Sequence, residues 1–477
     1  MSSLPRSTPS AQDVDAGAVL AFVDAVDADP TIEMHSLMVV RHGHVVAEGW
    51  WAPHTPDRTR LLYSVSKSFT STALGIAVEE GLVALDDTVV SHVPELAEGI
   101  TDERPLAITL RDLAMMAAGH DHDMWPDALA TDFGEPVRGF LSHPPTKQSG
   151  SWFTYSQPCT YTLGAIIQRR SGTTLTDYLR PRLLDPLGIG PVGWQAYPAG
   201  RQLGFTGFFA RTEDVAKLGL LYLQGGRWQG RQLVPESYVR EATSALVETP
   251  CQDTVDWQQG YGFQFWVSRH GFRADGAFGQ FSLVLPEHDT VVALTAGTEA
   301  TQAMLDHVWS HLLPGLGVVG SGPEAEAALV RRLGSLALPA ASRQPGAAAA
   351  AAGDGVTGRF TLADEQRDQP GTRLTSVSLA WDGDTLLATL EEATNALTVA
   401  AGHETWRLSD PAAVLGGVVP VAASYAWGEG GLELQVIFLE TPHRLTLRCS
   451  SIDGSAHLAW NVAPLDNGGI TTLHRPG

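Results

Sequence analysis

Ser64 and Lys67, set three apart in Ser64-Val65-Ser66-Lys67, are the residues of this sequence whose types and spacing best suit covalent chemistry. Residues three apart share a helical face, so the spacing brings a hydroxyl and an amine side by side. An amine denied water loses basicity until it can take a proton, and a serine next to it at a helix start becomes an activated nucleophile. The first N–H groups of a helix have no partner inside it and point outward, towards an oxyanion forming on a bound acyl group. One turn of helix thus offers a nucleophile, a base and half of an oxyanion hole. The plain alternative is an ordinary helix start with Ser64 as its cap.

The helix that must position this pair lies in the stretch from Leu61 to Val83, LLYSVSKSFTSTALGIAVEEGLV. Between Lys67 and Glu79 it carries no charge, and Phe69, Leu74, Ile76, Ala77 and Val78 fall on every side of a helical wheel. Such a helix is buried all round, and Lys67 with it. Of the 31 basic residues only Lys67, Lys147 and Lys217 are lysines. Arginine cannot be deprotonated and lysine can, which fits a proton-transfer role at position 67.

The remaining pattern predicts an α+β arrangement. Val14–Asp27 has helical spacing, and Ser36–Trp51 reads as two strands around His42-Gly43-His44. Thr109–Ala118 is a short helix stopped by Gly119, and His120–Ser151, with four prolines and several acids, is an irregular stretch of the kind that walls a cleft. Helices follow at Tyr161–Arg170, Thr174–Leu187, Thr212–Gln224 (with Thr212 as cap) and Pro235–Thr243, then three strands from Tyr261 to Gly297 and a closing helix, Thr301–Leu313. The sheet is therefore assembled from both ends of the segment, with helices as a second layer. We assign one α+β domain to residues 1–320, a helix and Ala/Gly/Pro-rich linker to 321–355, and a small all-β domain, sandwich or barrel, to 356–477, where short alternating strands such as TLLATLEE and LELQVIFLE dominate.

Composition excludes several classes. At 477 residues, with 44% hydrophobic and 18% charged, the chain can bury a sizeable core and has no apolar window long enough to cross a membrane. A net charge of −22 argues against nucleic acid or an anionic membrane as partner. Cys159, Cys251 and Cys449 are too few and too scattered for a disulfide or zinc framework. The start MSSLPRSTPSAQDVDAG lacks the apolar core of a signal peptide, so a cytoplasmic location is expected.

Five segments, YSVSKSFTSTALGIAVEEG, LTLRDLAMMAAGH, WFTYSQPCTYTLGAIIQRRSG, FFARTEDVAKLGLLYLQGGRWQGRQLVP and GQFSLVLPEHDTVVAL, occur in an order that resembles the serine β-lactamase superfamily, class C branch, over roughly Ser36 to Leu313. That branch includes penicillin-binding D-amino-acid peptidases, esterases and amide hydrolases. The resemblance implies a β-lactamase-like fold, an antiparallel sheet flanked by helices plus an all-helical subdomain. It also implies that Ser64 is the nucleophile, Lys67 its paired lysine, and Tyr155 the tyrosine that shares the base role, with adjacent cations such as Lys67 stabilising its phenolate. Gln157 stands where the family usually has asparagine and keeps the amide one methylene further out. Where lactamases and peptidases have Lys-Thr-Gly or His-Xaa-Gly, this chain has Ala274-Asp275-Gly276, so the cation that helps hold a substrate carboxylate is replaced by Ala274. Asp275 adds a negative charge there, Arg273 should face the other way, Gly276 permits close backbone approach, and the Ala277 N–H would be the second oxyanion donor beside that of Ser64.

His120-Asp121-His122-Asp123 invites a metal reading, but the run lies in the loop that borders the cleft in the resembled family, and His120 is expected to contact substrate. Trp125, Trp152, Phe209 and Trp266 are candidates for an apolar acyl pocket. No Gly-Xaa-Ser-Xaa-Gly elbow is present. The expectation is a serine hydrolase of carboxylic esters or small linear amides that uses no cofactor or metal and meets a small-molecule substrate, with a homo-oligomer left open. The rivals are a β-lactamase or D-amino-acid peptidase, and a non-catalytic ligand- or partner-binding homologue.

Overall fold

Valine-containing apolar runs on either side of a two-residue turn pair strand β1 (Met34–Arg41), buried along its whole length, with β2 (His44–Trp50). His42 and Gly43 take φ of 48° and 74°, the left-handed pair that a tight hairpin turn of this twist demands. The structure, a computed structural model, describes residues 3–318, 320, 322–343, 357–362, 373–412, 417–428, 430–466 and 468–476. Most of the Ala/Gly/Pro-rich linker falls outside these.

The hairpin is one half of a six-stranded antiparallel sheet whose other half comes from far along the chain: β3 (Trp266–Ser268), β4 (Gly271–Gly276), β5 (Gln280–Leu285) and β6 (Thr290–Ala296). The strand order is β2-β1-β6-β5-β4-β3, so β1 and β6 join the two ends of the segment. On one face lie α1 (Ala16–Ala28), capped by Asp15, and the helix at Thr301–His307. On the other lie α2 (Val65–Glu79), with α3 (Gln157–Ser171) packed against it, and α4 (Thr212–Leu223). Every residue of α2 from Val65 to Ala77 is buried, as its uncharged sequence requires.

Several boundaries differ from the expected ones for local reasons. The His120–Ser151 stretch contains short helices at Trp125–Thr131 and Pro136–Leu141, and α3 begins at Gln157 rather than Tyr161. In each case a proline read as a breaker sits in the first turn, where its missing N–H is harmless. The cap of α4 is Arg211, whose N–H is bound by the Asp214 carboxylate at 3.0 Å, while the Thr212 hydroxyl bonds Ser36 at 2.8 Å. The strand expected from Tyr261 shrinks to Trp266–Ser268, because Gln264 turns to φ 62° and its buried amide donates to the carbonyls of Leu113 and Ala114.

The C-terminal strands form one nine-stranded sheet. It closes on itself where Gly402 and His403 pair with Ser424 and Tyr425, so the domain is a barrel and not a sandwich. Its interior is filled by buried side chains, among them Val377, Leu390, Val399, Leu434 and Leu447. The barrel is anchored to the first domain by an Arg444–Glu33 ion pair of 2.6 Å and by Leu61 N–H donating to the Glu440 carbonyl at 2.8 Å.

Candidate active site

Ser64 sits immediately before α2 with helical backbone angles, and its hydroxyl caps nothing. Instead Lys67 Nζ donates to Ser64 Oγ at 3.0 Å, and the Tyr155 hydroxyl is near enough to the same serine for the two to interact. The Lys67 amine has two further acceptors, Gln157 Oε1 at 2.7 Å and the Phe205 carbonyl at 2.8 Å. Lys67 is 1% exposed, and burial holds its pKa down to about 7 although Asp123 and Asp275 pull it upward. A neutral amine has two N–H donors and one lone pair. Once the amine is deprotonated, the two carbonyl oxygens keep its two donors and the lone pair replaces the N–H that was aimed at Ser64 Oγ, the geometry in which a serine proton can be withdrawn.

Tyr155 is held between aromatic neighbours. It stacks on Trp266 with centroids 5.7 Å apart and an interplanar angle of 21°, and Phe153 and Tyr261 close round it. Burial pushes its phenol above the ordinary tyrosine value, so the group is a neutral hydroxyl. The expected phenolate supported by Lys67 is not what the packing provides, since Lys67 Nζ lies over the face of the ring.

The third corner is the turn after β4. A Cβ on Gly276 would lie 2.3 Å from the Leu62 carbonyl oxygen and 3.3 Å from Ser64 N, so only glycine lets this strand end approach Ser64. The next residue, Ala277, is half-buried, and among the described residues neither its N–H nor that of Ser64 has a protein acceptor. The turn is fixed from below by Gln280, whose buried amide donates to the carbonyls of Ala277, Phe278 and Ala296. Two polarised N–H groups at one mouth can bind an oxyanion.

A cavity of about 430 Å³ opens at Ser64. Its walls are mostly apolar, including Leu61, Trp125, Leu129, Phe133, Leu203 and Phe205, with Gln157 at the serine end and the carboxylates of Asp123 and Asp466 on the lining. Leu465 and Asp466 belong to the segment that follows the barrel strands.

Residues 21–311, more than half of the chain, match the family model described as Beta-lactamase. The chain belongs to the beta-lactamase family. Among curated relatives of this family member, the 6-aminohexanoate-dimer hydrolase of Paenarthrobacter ureafaciens is 25% identical over 288 residues, 54% of this chain and 71% of that enzyme. The lovastatin esterase of Penicillium rubens is 30% identical over 172 residues, covering 31% of this chain and 42%, less than half, of the esterase. An octameric penicillin-binding protein homologue from Pyrococcus abyssi shares the fold, with a TM-score of 0.51 at 18% identity, over 91% of this chain and 98% of that one. The protein is thus a hydrolase of the serine β-lactamase type.

Within this family member the structure brings together Ser64, Lys67, Tyr155, Gln157, Gly276 and Ala277, and it separates other candidates from them. His120 is buried, donates through Nε2 to the His143 carbonyl and packs on Phe140, so it does not line the cavity. His122 uses both ring nitrogens on Asp121 and Asp127, and Asp123 Oδ1 accepts from the N–H groups of Gln157 and Trp125. Trp266 supports Tyr155 and does not line the cavity; Trp152 is 41% exposed beside Lys147, away from it; Phe209 is packed beneath the Tyr63 and Phe278 rings. Only Trp125 of the four aromatics forms cavity wall.

Ala274 is buried against the helical layer and, being apolar, supplies no cation. The charge expected from Asp275 is offset, because Arg273 on the same strand face donates to it at 2.8 Å. Arg273 is itself fully buried, bonding the Asp256 carbonyl and Ser268 hydroxyl, and is closed to a substrate carboxylate. The residues missed by sequence reasoning are Phe205, which acts through its backbone carbonyl, Gln280 and the pair Leu465-Asp466. Only Gln280 had a visible signal, as a long polar residue heading a mostly apolar strand, QFSLVL.

Proposed function

We propose that this protein is an acyl-serine hydrolase acting on carboxylic esters or small linear amides. Ser64 attacks the carbonyl carbon while its proton passes to neutral Lys67, and the Ser64 and Ala277 N–H groups hold the resulting oxyanion. The Tyr155 hydroxyl hands a proton to the departing alcohol or amine, and the proton that Lys67 took from Ser64 makes good that loss. Water then attacks the acyl-enzyme with the same groups working in reverse, releasing the carboxylic acid and restoring Ser64. The observation that carries the reading is the 3.0 Å contact between Ser64 Oγ and a Lys67 amine whose pKa is held to about 7.

The substrate class is supported by what surrounds that contact. Ala274 offers no cation, Arg273 is occupied by Asp275, and the cavity lining presents Asp123 and Asp466, so a carboxylate-bearing lactam or peptide finds no clamp. The apolar walls suit an uncharged acyl group, and relatives bear the names lovastatin esterase and 6-aminohexanoate-dimer hydrolase.

The test is turnover of a short-chain nitrophenyl ester, a linear amide and a chromogenic cephalosporin by the wild type and Ser64→Ala. Ester or amide hydrolysis that disappears in the variant is expected. Equal and negligible turnover in both proteins overturns the enzymatic reading, and a kcat/KM highest for the cephalosporin overturns the substrate class.

A further inference from the structure

Both oxyanion donors have a strained aromatic neighbour. Tyr63, immediately before Ser64, has φ of 47°, and Phe278, immediately after Ala277, has φ of 65°. Bulky residues occupy this left-handed region only when their surroundings hold them there. The two rings meet edge to face with centroids 5.3 Å apart. They form a small apolar cluster with Leu61, Phe209 and Val462, and Ala277 packs against its rim.

What completes the cluster comes from the barrel. His443, 1% exposed, lies 2.7 Å through Nε2 from the Tyr63 hydroxyl, and its ring meets Phe278 edge on at 5.8 Å. Its Nδ1 lies 2.9 Å from the Val462 carbonyl, which can only accept. That contact assigns the hydrogen to Nδ1, so Nε2 accepts from the Tyr63 hydroxyl. The imidazole therefore touches the residue beside each oxyanion donor and is itself locked to its own domain.

We propose that His443 of the C-terminal barrel is a positioning residue for catalysis, which through Tyr63 and Phe278 fixes the relative placement of the Ser64 and Ala277 N–H groups. The oxyanion hole is then assembled across the two domains, which gives the barrel a role in the chemistry although its interior is filled. An oxyanion hole works only when its donors are fixed before charge develops, so loosening either neighbour weakens transition-state binding more than substrate binding. The inference rests on the acyl-serine reading above.

The experiment compares full-length wild type, Tyr63→Phe, His443→Leu, His443→Gln and the Tyr63→Phe/His443→Leu double variant on a nitrophenyl ester, with Ser64→Ala as control. Each of Tyr63→Phe and His443→Leu should lower kcat by roughly 10- to 100-fold, below the cost of deleting an oxyanion donor outright, with KM nearly unchanged. His443→Gln, whose amide oxygen can still accept from Tyr63, should recover part of the loss. The double variant should be no slower than the slower single one, because the two residues act as one unit. Affinity for a boronic acid that forms a tetrahedral adduct on serine should fall in parallel with kcat. Unchanged kcat in a folded Tyr63→Phe protein, or equal losses in kcat and unfolding midpoint with boronate affinity preserved, overturns the proposal. Wild-type turnover that survives Ser64→Ala overturns instead the reading on which it rests.

Discussion

Lys67 Nζ lies 4.8 Å above the centre of the Tyr155 ring, while its hydrogen bonds go to Ser64, Gln157 and Phe205. The ring face is attractive to the ammonium form, but it offers nothing to a phenolate oxygen at the ring edge. Burial then drives the two groups apart, lowering the affinity of Lys67 for its proton and raising that of Tyr155. In the proposed reaction two titratable neighbours separated in this way take different parts in proton transfer, with the amine as base and the phenol as donor.

The acid limb of the pH profile should report Lys67. Esterase kcat/KM should rise from acid towards neutral pH with a midpoint near 7, as the amine loses its proton, and then stay level on the alkaline side of neutrality. Lys67→Arg keeps the charge but cannot be deprotonated, and should lower acylation by roughly 100- to 10,000-fold. Near-normal acylation in a pre-steady-state burst of that variant removes Lys67 from the proton transfer.

Gln157 should tune this limb. Its carbonyl oxygen accepts from Lys67 at 2.7 Å and so stabilises the ammonium. In Gln157→Ala the amine should become less basic, moving the midpoint of the profile to lower pH, while its lone pair loses an orienting contact and the plateau falls by roughly 10- to 100-fold. A midpoint moved to higher pH contradicts this role.

Much of this geometry is legible in the sequence, because it is built from regular elements. An uncharged helix carrying Ser64 and Lys67 in its first turns, the β1–β2 hairpin and the alternating strands of the barrel all follow from periodicity. The third acceptor of Lys67 is illegible because it is a backbone carbonyl, and any residue at 205 has one. Period two along β4 does put Arg273 and Asp275 on one face, and judging each against Ala274 alone hides their pairing. The His443–Tyr63 contact spans 380 positions and joins two domains, a relation that no local pattern encodes.

Gly276→Ala tests the close approach of β4 to the nucleophile. The added Cβ would meet the Leu62 carbonyl and Ser64 N, both backbone atoms held by hydrogen-bonded structure that cannot yield cheaply. The variant should lose on the order of 1–3 kcal/mol of stability from overpacking, and its kcat should collapse even at temperatures where it remains folded. Full activity in a folded variant shows that the strand end can retreat without disturbing the oxyanion site.

Burying Lys67 also sets a pH dependence of stability, of the same sign as that of a salt-bridged carboxylate but in a window above neutrality. In the unfolded chain the amine has its ordinary value of 10.5, and in the folded protein about 7. Between these values the unfolded state holds a proton that the folded state lacks, so stability from this group rises with pH across that window and its cost is full below about pH 7. Lys67→Met carries no such term, whatever it loses through the unpaired Gln157 and Phe205 oxygens. The unfolding free energy of Lys67→Met minus that of wild type should therefore be largest near about pH 6 and shrink by a few kcal/mol by about pH 9, as read from urea midpoints at both values. Taking the difference cancels every group the two proteins share, so a gap that does not change with pH means that Lys67 is not titrating near neutrality in the folded protein.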